Sequence, residues 1–368
     1  MDKERSKLPV DEEFVIWGGY GGHNLGDEAI LWSMSRLLKK LRPNAAQSVL
    51  VRTPVSAQVA KQYELWGVDI VRFGTVSSLR LLTRARLIVG GGQLLDDTFS
   101  AWPVGWTSLV LSINAAAGMQ PLILCIGAEP IKRKITAFIA KLFYSLARVC
   151  SCRDQESLEV VRNLGLPADR LVASRDVVFS LDRALLPKRT RSDNHVTRVT
   201  LVLAHDPQRT PGKSDYFSEL ATEFLEAGCE VSIVAHDLRV EYDYGLLLSL
   251  EQEFARHSQV TICNPRLVGE SLEIYANSDA VVSGRMHPLI LASLVRTLPI
   301  AIRGTGKVNS LIGALGLPAL ERSGGKNVRA RSALAALSQK DFYMRLIQER
   351  FAEFGTLVES TTADALIG

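Results

Sequence analysis

Short apolar runs closed by glycine alternate along the chain with stretches in which apolar residues recur every three or four positions. Residues 14–18 (FVIWG) form the first such run, which reads as a buried strand. After a glycine-rich loop at 19–26, Ile30, Leu31, Met34, Leu37, Leu38 and Leu41 recur at helical spacing. They predict a helix that starts near Asp27, with Asp27 as its N-cap, and that stops at Pro43. Strands are predicted at 48–52, 69–73, 86–89 and 121–126, the last closed by Gly127. A helix over 131–148, a short strand over 149–152 and a helix over 154–164 complete the first half. The alternation restarts with strands at 199–204, 230–235, 259–263, 280–283 and 299–302. Helices at 216–227, 245–255, 270–277 and 288–296 separate them. Strands that alternate with helices in this way build parallel, doubly wound α/β sheets.

Between the halves, around 185–198, the composition turns to Pro, Lys, Arg, Ser, Asp and Asn, which marks a linker. The expected organisation is a Rossmann-like domain over 1–185, a linker over 186–198 and a second Rossmann-like domain over 199–330. Helices follow over 331–368, where 332–361 is helical in pattern and able to pack back on the first half. Two open α/β halves facing across a cleft would hold ligands past the carboxyl ends of their strands.

A length of 368 residues suits two domains, and 47% hydrophobic with 22% charged residues suits a packed core. The net charge of +4 fits small anionic substrates or contact with anionic lipid, and is too weak to argue for nucleic acid. Cys125, Cys150, Cys152, Cys229 and Cys263 match no zinc spacing and read as free thiols of a reducing compartment. Residues 1–13 are charged and lack the apolar core of a secretory signal. No apolar stretch approaches the roughly 20 residues that cross a bilayer, so a cytoplasmic location is expected. The stretch 131–148 carries Lys132, Arg133, Lys134, Lys141 and Arg148 with no acid. It is either a solvated face or a peripheral contact with the inner face of an anionic membrane.

Candidate chemistry falls in the loops. The loop 18–30 (GGYGGHNLGDEAI) lies where a phosphate loop would lie, but lacks the Lys-Ser/Thr of a Walker loop. Asn24 stands at the third glycine of a dinucleotide fingerprint, and Asp27 and Glu28 would repel a phosphate at the helix start. The loop reads either as a site that grips hydroxyls through His23 and Asn24 and positions Asp27 as a base, or as turns with Asp27 a cap. In 90–97 (GGGQLLDD), Gly91 and Gly92 allow close backbone approach to a ligand. Gln93, Asp96 and Asp97 suit sugar hydroxyls better than a metal ion; the alternative is a solvated turn. Arg153 ends a strand and suits a carboxylate or phosphate, or else pairs with Asp154. In 283–289 (SGRMHPL), a buried strand runs into Arg285 and His287, with Pro288 opening the next helix. Arg285 is an anion clamp by type, and His287 is either a proton donor or structural. Lys307, beside Gly304 and Gly306 after the last strand, is an anion contact or an exposed loop lysine. His205 and His236 follow strands and are placed to line the cleft, whereas His195 and His257 read as surface.

The ordered set GYGGHNLGDEAIL, GGGQLLDD, CRDQES and SGRMHPLILAS followed by KV resembles the polysaccharide pyruvyl transferase family over roughly 14–317. The chain departs from that family at Asp176-Val177, where the family often has Asp-Pro, and in a less glycine-rich turn at 127–130. The resemblance implies a GT-B-like fold, with the first domain on the acceptor side and the second on the donor side. It implies phosphoenolpyruvate as donor, a sugar acceptor (free, nucleotide-linked, lipid-linked or polymeric) and a cyclic pyruvate ketal as product, in cell-surface or exopolysaccharide biosynthesis. Arg285 and His287 would serve the donor. On this scheme His287 protonates the donor's methylene, while Arg285, Arg153 and Lys307 neutralise its anionic groups. Asp27 or Asp97 orients or deprotonates the attacking hydroxyl, and no metal or organic cofactor is required. A homo-oligomer is compatible with the sequence. The rivals are a glycosyltransferase with a nucleotide-sugar donor and a non-catalytic sugar-binding protein; the Arg, His and Lys at strand ends favour an enzyme.

Overall fold

The computed structural model describes residues 12–98, 100–191, 196–205, 215–321 and 328–367. His195 and the middle of the linker, 192–195, lie outside the described residues. The chain divides into two compact units. One comprises Met1–Gly21, Ile30–Leu181 and Thr356–Gly368; the other comprises Gly22–Ala29 and Asp182–Gly355.

The first unit is built from β1 (Glu13–Trp17), α1 (Leu25–Leu41, whose first residues to Ala29 belong to the second unit), β2 (Ala46–Val51), α2 (Ala57–Trp66), β3 (Asp69–Arg72), α3 (Val76–Leu82) and β4 (Arg86–Gly90). It continues through β5 (Gln93–Leu95), α4 (Trp102–Ala116), β6 (Leu122–Ala128), α5 (Lys134–Tyr144), β7 (Val149–Cys152), α6 (Gln155–Leu164) and β8 (Leu171–Ala173). Its strands pair in parallel in the order β3-β2-β1-β4-β6-β7-β8, with β5 paired to β6 beside that path.

The second unit contains β9 (Arg198–Val202), α7 (Asp215–Glu226), β10 (Glu230–Val234), α8 (Asp243–Glu253), β11 (Val260–Cys263), α9 (Val268–Ala276) and β12 (Ala280–Ser283). Then come α10 (Met286–Leu294), β13 (Leu298–Ile302), α11 (Gly306–Leu315), β14 (Ala319–Leu320), α12 (Val328–Ser338) and α13 (Lys340–Ile367), whose part from Thr356 onward belongs to the first unit. Its parallel sheet runs β11-β10-β9-β12-β13-β14, the order of a doubly wound nucleotide-type fold. The expected α/β class with two parallel sheets is therefore what the chain forms. Every residue of β6 (LILCIGA) and β13 (LPIAI) is buried, as parallel strands covered on both faces must be.

Several boundaries differ from expectation for physical reasons. Helix α1 begins at Leu25, because the Oδ1 of Asn24 accepts the Gly26 N–H at 2.8 Å. Asn24 is thus the cap, and Asp27 sits in the first turn. Helix α5 covers only Lys134–Tyr144, not 131–148. Both carboxylate oxygens of Asp97 accept backbone N–H groups, of Lys132 and Arg133, each at 2.8 Å, and Arg133 is extended. Pro288 is the third residue of α10 rather than its first, but still within the turn whose N–H groups find no helical partner. At the far end of α13, three arginines close the last carbonyls. Arg42 and Arg86 donate to Leu366 O, and Arg148 donates to Ala365 O. Cations there also offset the negative end of the helix dipole.

Candidate active site

Each sheet reverses its strand order once, between β1 and β4 and between β9 and β12. At such a point the flanking loops run apart and leave a crevice beyond the strand ends, where open α/β sheets bind ligands. In the first unit Tyr20 crosses this point, its hydroxyl donating to Gly90 O at 2.5 Å. In the second unit Arg285 crosses it. Its Nε donates to Leu203 O, and its Nη2 to His205 O, both at 3.2 Å.

Residues 22–29 join the second unit by pairing with the chain just past β10. Asn24 and Asp237 form an antiparallel bridge, in which Leu25 N–H donates to His236 O at 3.0 Å and Leu238 N–H to His23 O at 2.8 Å. The buried Glu28 accepts the Gly22 N–H at 2.7 Å and so closes the loop on its own helix. Gly22 itself has φ +82°, a conformation that favours glycine. Gly26 lies flat against His287: a Cβ there would stand 2.4 Å from the imidazole Nδ1. Glycine at this position is what lets the imidazole approach the helix start.

The result is a cluster of Asp27, His287, Lys307, Asp237 and Arg239. Burial pushes the Asp27 carboxyl above its ordinary range. His287 and Lys307 pull it back, Asp237 pushes with the burial, and Arg239 pulls against it. Asp237 is buried and holds Arg239 bidentately, accepting Nη2 at 2.6 Å and Nε at 2.9 Å. The Arg239 guanidinium also stacks 3.9 Å above the centre of the Tyr242 ring. A carboxyl of raised pKa beside an imidazole and two cations can exchange protons with, and hold, an anionic substrate.

Behind the cluster lies a buried scaffold. Asp243 has no exposed surface and gathers four donors: Arg285 Nη2 at 2.7 Å and the backbone N–H groups of His205, His236 and Asp237 at 2.8, 3.3 and 2.9 Å. Burial pushes its carboxyl up, against the pull of Arg285. His236 is also buried, and burial together with Arg285 and His287 holds its imidazole well below the usual histidine range. It is therefore neutral near pH 7.

Of the residues singled out from sequence, His23, Asn24, Asp27, Arg285, His287 and Lys307 fall in the second unit, and Gly91, Gly92, Gln93, Asp97 and Arg153 in the first. His23 is exposed, and Asn24 is the cap already described. Asp97 anchors the segment before α5. Gln93 donates to Asp96 and Glu129 at 3.3 and 2.9 Å. Gly91 and Gly92 have φ of +62° and +69°, and a Cβ on Gly91 would meet Ile30 Cγ2 at 2.2 Å. Arg153 is buried over Gly127, with Nε 3.3 Å from Asp154 Oδ2 and Nη1 3.8 Å from Asp176 Oδ2. Asp237, Arg239 and Asp243 were not anticipated. The signal lay in the HDLR run at 236–239, directly after a predicted strand.

The model of one family, described as polysaccharide pyruvyl transferase, matches residues 24–303. No curated protein sequence matches the chain. Among solved structures, Anabaena Alr3699/HepE in complex with UDP and glucose superposes with a TM-score of 0.67 at 12% identity, covering 96% of this chain and 99% of that one. The UDP-GlcNAc 2-epimerase from Neisseria meningitidis bound to UDP-GlcNAc gives 0.61 at 11% identity, over 97% and 99% of the two chains. A glycosyltransferase from Rickettsia africae gives 0.64 at 10% identity, over 98% and 100%. At these identities the likeness is one of fold, and the fold is of the GT-B type expected from sequence.

Proposed function

Because this chain belongs to the polysaccharide pyruvyl transferase family, we propose that it moves the pyruvate unit of phosphoenolpyruvate onto a sugar and releases phosphate. The observation that carries the proposal is the placement of Asp27 among His287, Lys307 and Arg239 in one cluster.

His287 gives a proton to the donor's methylene carbon, which becomes a methyl group and leaves the neighbouring carbon electrophilic. A sugar hydroxyl adds to that carbon, and Asp27 takes its proton. A raised pKa makes Asp27 a stronger base than an ordinary aspartate, which suits this step. Phosphate then leaves with the electrons of its C–O bond, and a second hydroxyl closes the ketal, its proton passing to the solvent or the phosphate. Lys307 and Arg239 hold the donor's carboxylate and phosphate, fixed charges that need no reorganisation as the reaction proceeds. Arg285 acts from behind, by holding Asp243 and the end of β9.

A second proposal follows from the fold alone: a nucleotide sugar as donor, since UDP and glucose are bound in the Anabaena structure and UDP-GlcNAc in the Neisseria one. The two differ in product. In heavy water the first transfers a pyruvate ketal whose methyl group carries one solvent deuterium, and the acceptor gains the mass of pyruvic acid less one water. We expect that product, read by mass spectrometry over a panel of sugar acceptors, with turnover lowered about 10²–10⁴-fold in His287→Ala. Glycosyl transfer from a nucleotide sugar, or near-normal turnover in His287→Ala, overturns the assignment.

A further inference from the structure

In the first unit, the crossovers from β4 through α4 to β6, and from β6 through α5 to β7, step in the same direction along the sheet. Right-handed crossovers therefore put α4 and α5 side by side on one face, and the two helices do pack together. Each leaves an apolar row outside. On α5, Ile135, Phe138 and Leu142 are exposed by 76%, 68% and 51%, at spacings of three and four, and Leu146 continues the row at 39%. On α4, Trp102 and Leu109 are exposed by 66% and 41%. Side chains of this size, repeated at helical spacing, are not the scattered apolar residues of an ordinary surface.

On α4 and α5 themselves the charges have one sign, while the acids Glu156 and Glu159 lie on the neighbouring α6. Lys132, Arg133, Lys134 and Lys141 are all exposed, and neither α4 nor the stretch 131–148 contains an acid. A second copy of the chain or an apolar protein groove would be met as well by a neutral rim. A row of Ile, Phe and Leu whose own segment carries only cations is instead complementary to a surface that is apolar below and anionic above. No helix of the described residues is long and apolar enough to cross a membrane, so contact through this face would be superficial. The buried side of α5 is held independently: Thr136, Ala140 and Tyr144 are buried, the Tyr144 hydroxyl donates to Leu94 O at 3.0 Å, and Asp97 fixes the entering backbone. The outer row is thus not needed for the fold.

We propose that the outer face of α4 and α5 docks on an anionic lipid membrane, with Ile135, Phe138 and Leu142 entering the headgroup boundary and Lys132, Lys134 and Lys141 meeting lipid phosphates. The test is sedimentation with vesicles of phosphatidylcholine, with and without phosphatidylglycerol. Binding is expected to the mixed vesicles and to weaken as salt rises. Each lysine replaced by glutamine should weaken it about fivefold, the effect of about one charge near such a surface. Ile135→Ser with Phe138→Ser should abolish it while thermal unfolding stays unchanged. No binding to the mixed vesicles at low salt overturns the proposal. So does equal binding by the serine variant, or a dimer in analytical ultracentrifugation that the serine variant splits, since a second copy would then cover this face.

Discussion

At the scale of single residues, the identity of a side chain told less than its partners. Arg285 and Arg153 looked like anion clamps because each ends a strand. In the folded chain each already holds carboxylates: Arg285 the fully buried Asp243, and Arg153 the pair Asp154 and Asp176. Removing one partner of a buried pair leaves a charge without compensation, at a cost of about 3–5 kcal/mol. Arg285→Ala should therefore lower the free energy of unfolding in urea by about that amount. An unchanged denaturation midpoint would mean that the guanidinium has no structural role. Lys307 offers the cleaner probe of substrate charge, because it acts on Asp27 from the first turn of α11 rather than from within the scaffold. The chemical types of Asp27 and His287 were legible from sequence, but their partners were not. Asn24 and Asp237, whose bridge joins that loop to the second unit, lie 213 residues apart with no local signature of pairing.

At the scale of elements, the alternation of apolar runs was enough to find the strands and their parallel class, since buried parallel strands read as unbroken apolar stretches. What it missed were boundaries fixed by side chains from elsewhere. The chain before α5 looked helical by composition, yet it is held by Asp97 through the N–H groups of Lys132 and Arg133, with Arg133 extended, and the helix starts at Lys134. That contact gives Asp97 a structural part in the first unit, at the start of α5. Asp97→Ala should lower stability by about 1–2 kcal/mol, as the loss of a capping carboxylate does, and leave the kcat of the folded enzyme within a few-fold. A kcat loss of about 10²-fold at unchanged stability would instead make Asp97 a base. The loop 22–29 gives the opposite lesson. Sequence adjacency assigned it to the first unit, and its pairing with residues past β10 assigns it to the second.

At the scale of the whole molecule, two parallel sheets with one reversal of order each make a fold shared by proteins of different chemistry, so the fold does not select the donor. Family membership and the Asp27–His287 cluster favour phosphoenolpyruvate. A small, densely charged donor should bind in proportion to the cations that face it, whereas a nucleotide sugar relies on contacts to its base and ribose. The most direct measurement is a calorimetric titration of the wild-type protein and Lys307→Ala with phosphoenolpyruvate, and separately with UDP-glucose. The proposed reaction predicts that phosphoenolpyruvate binds, that Lys307→Ala weakens it about tenfold or more, and that UDP-glucose gives no heat. Binding of UDP-glucose with no response to phosphoenolpyruvate would contradict it and make the chain a glycosyltransferase.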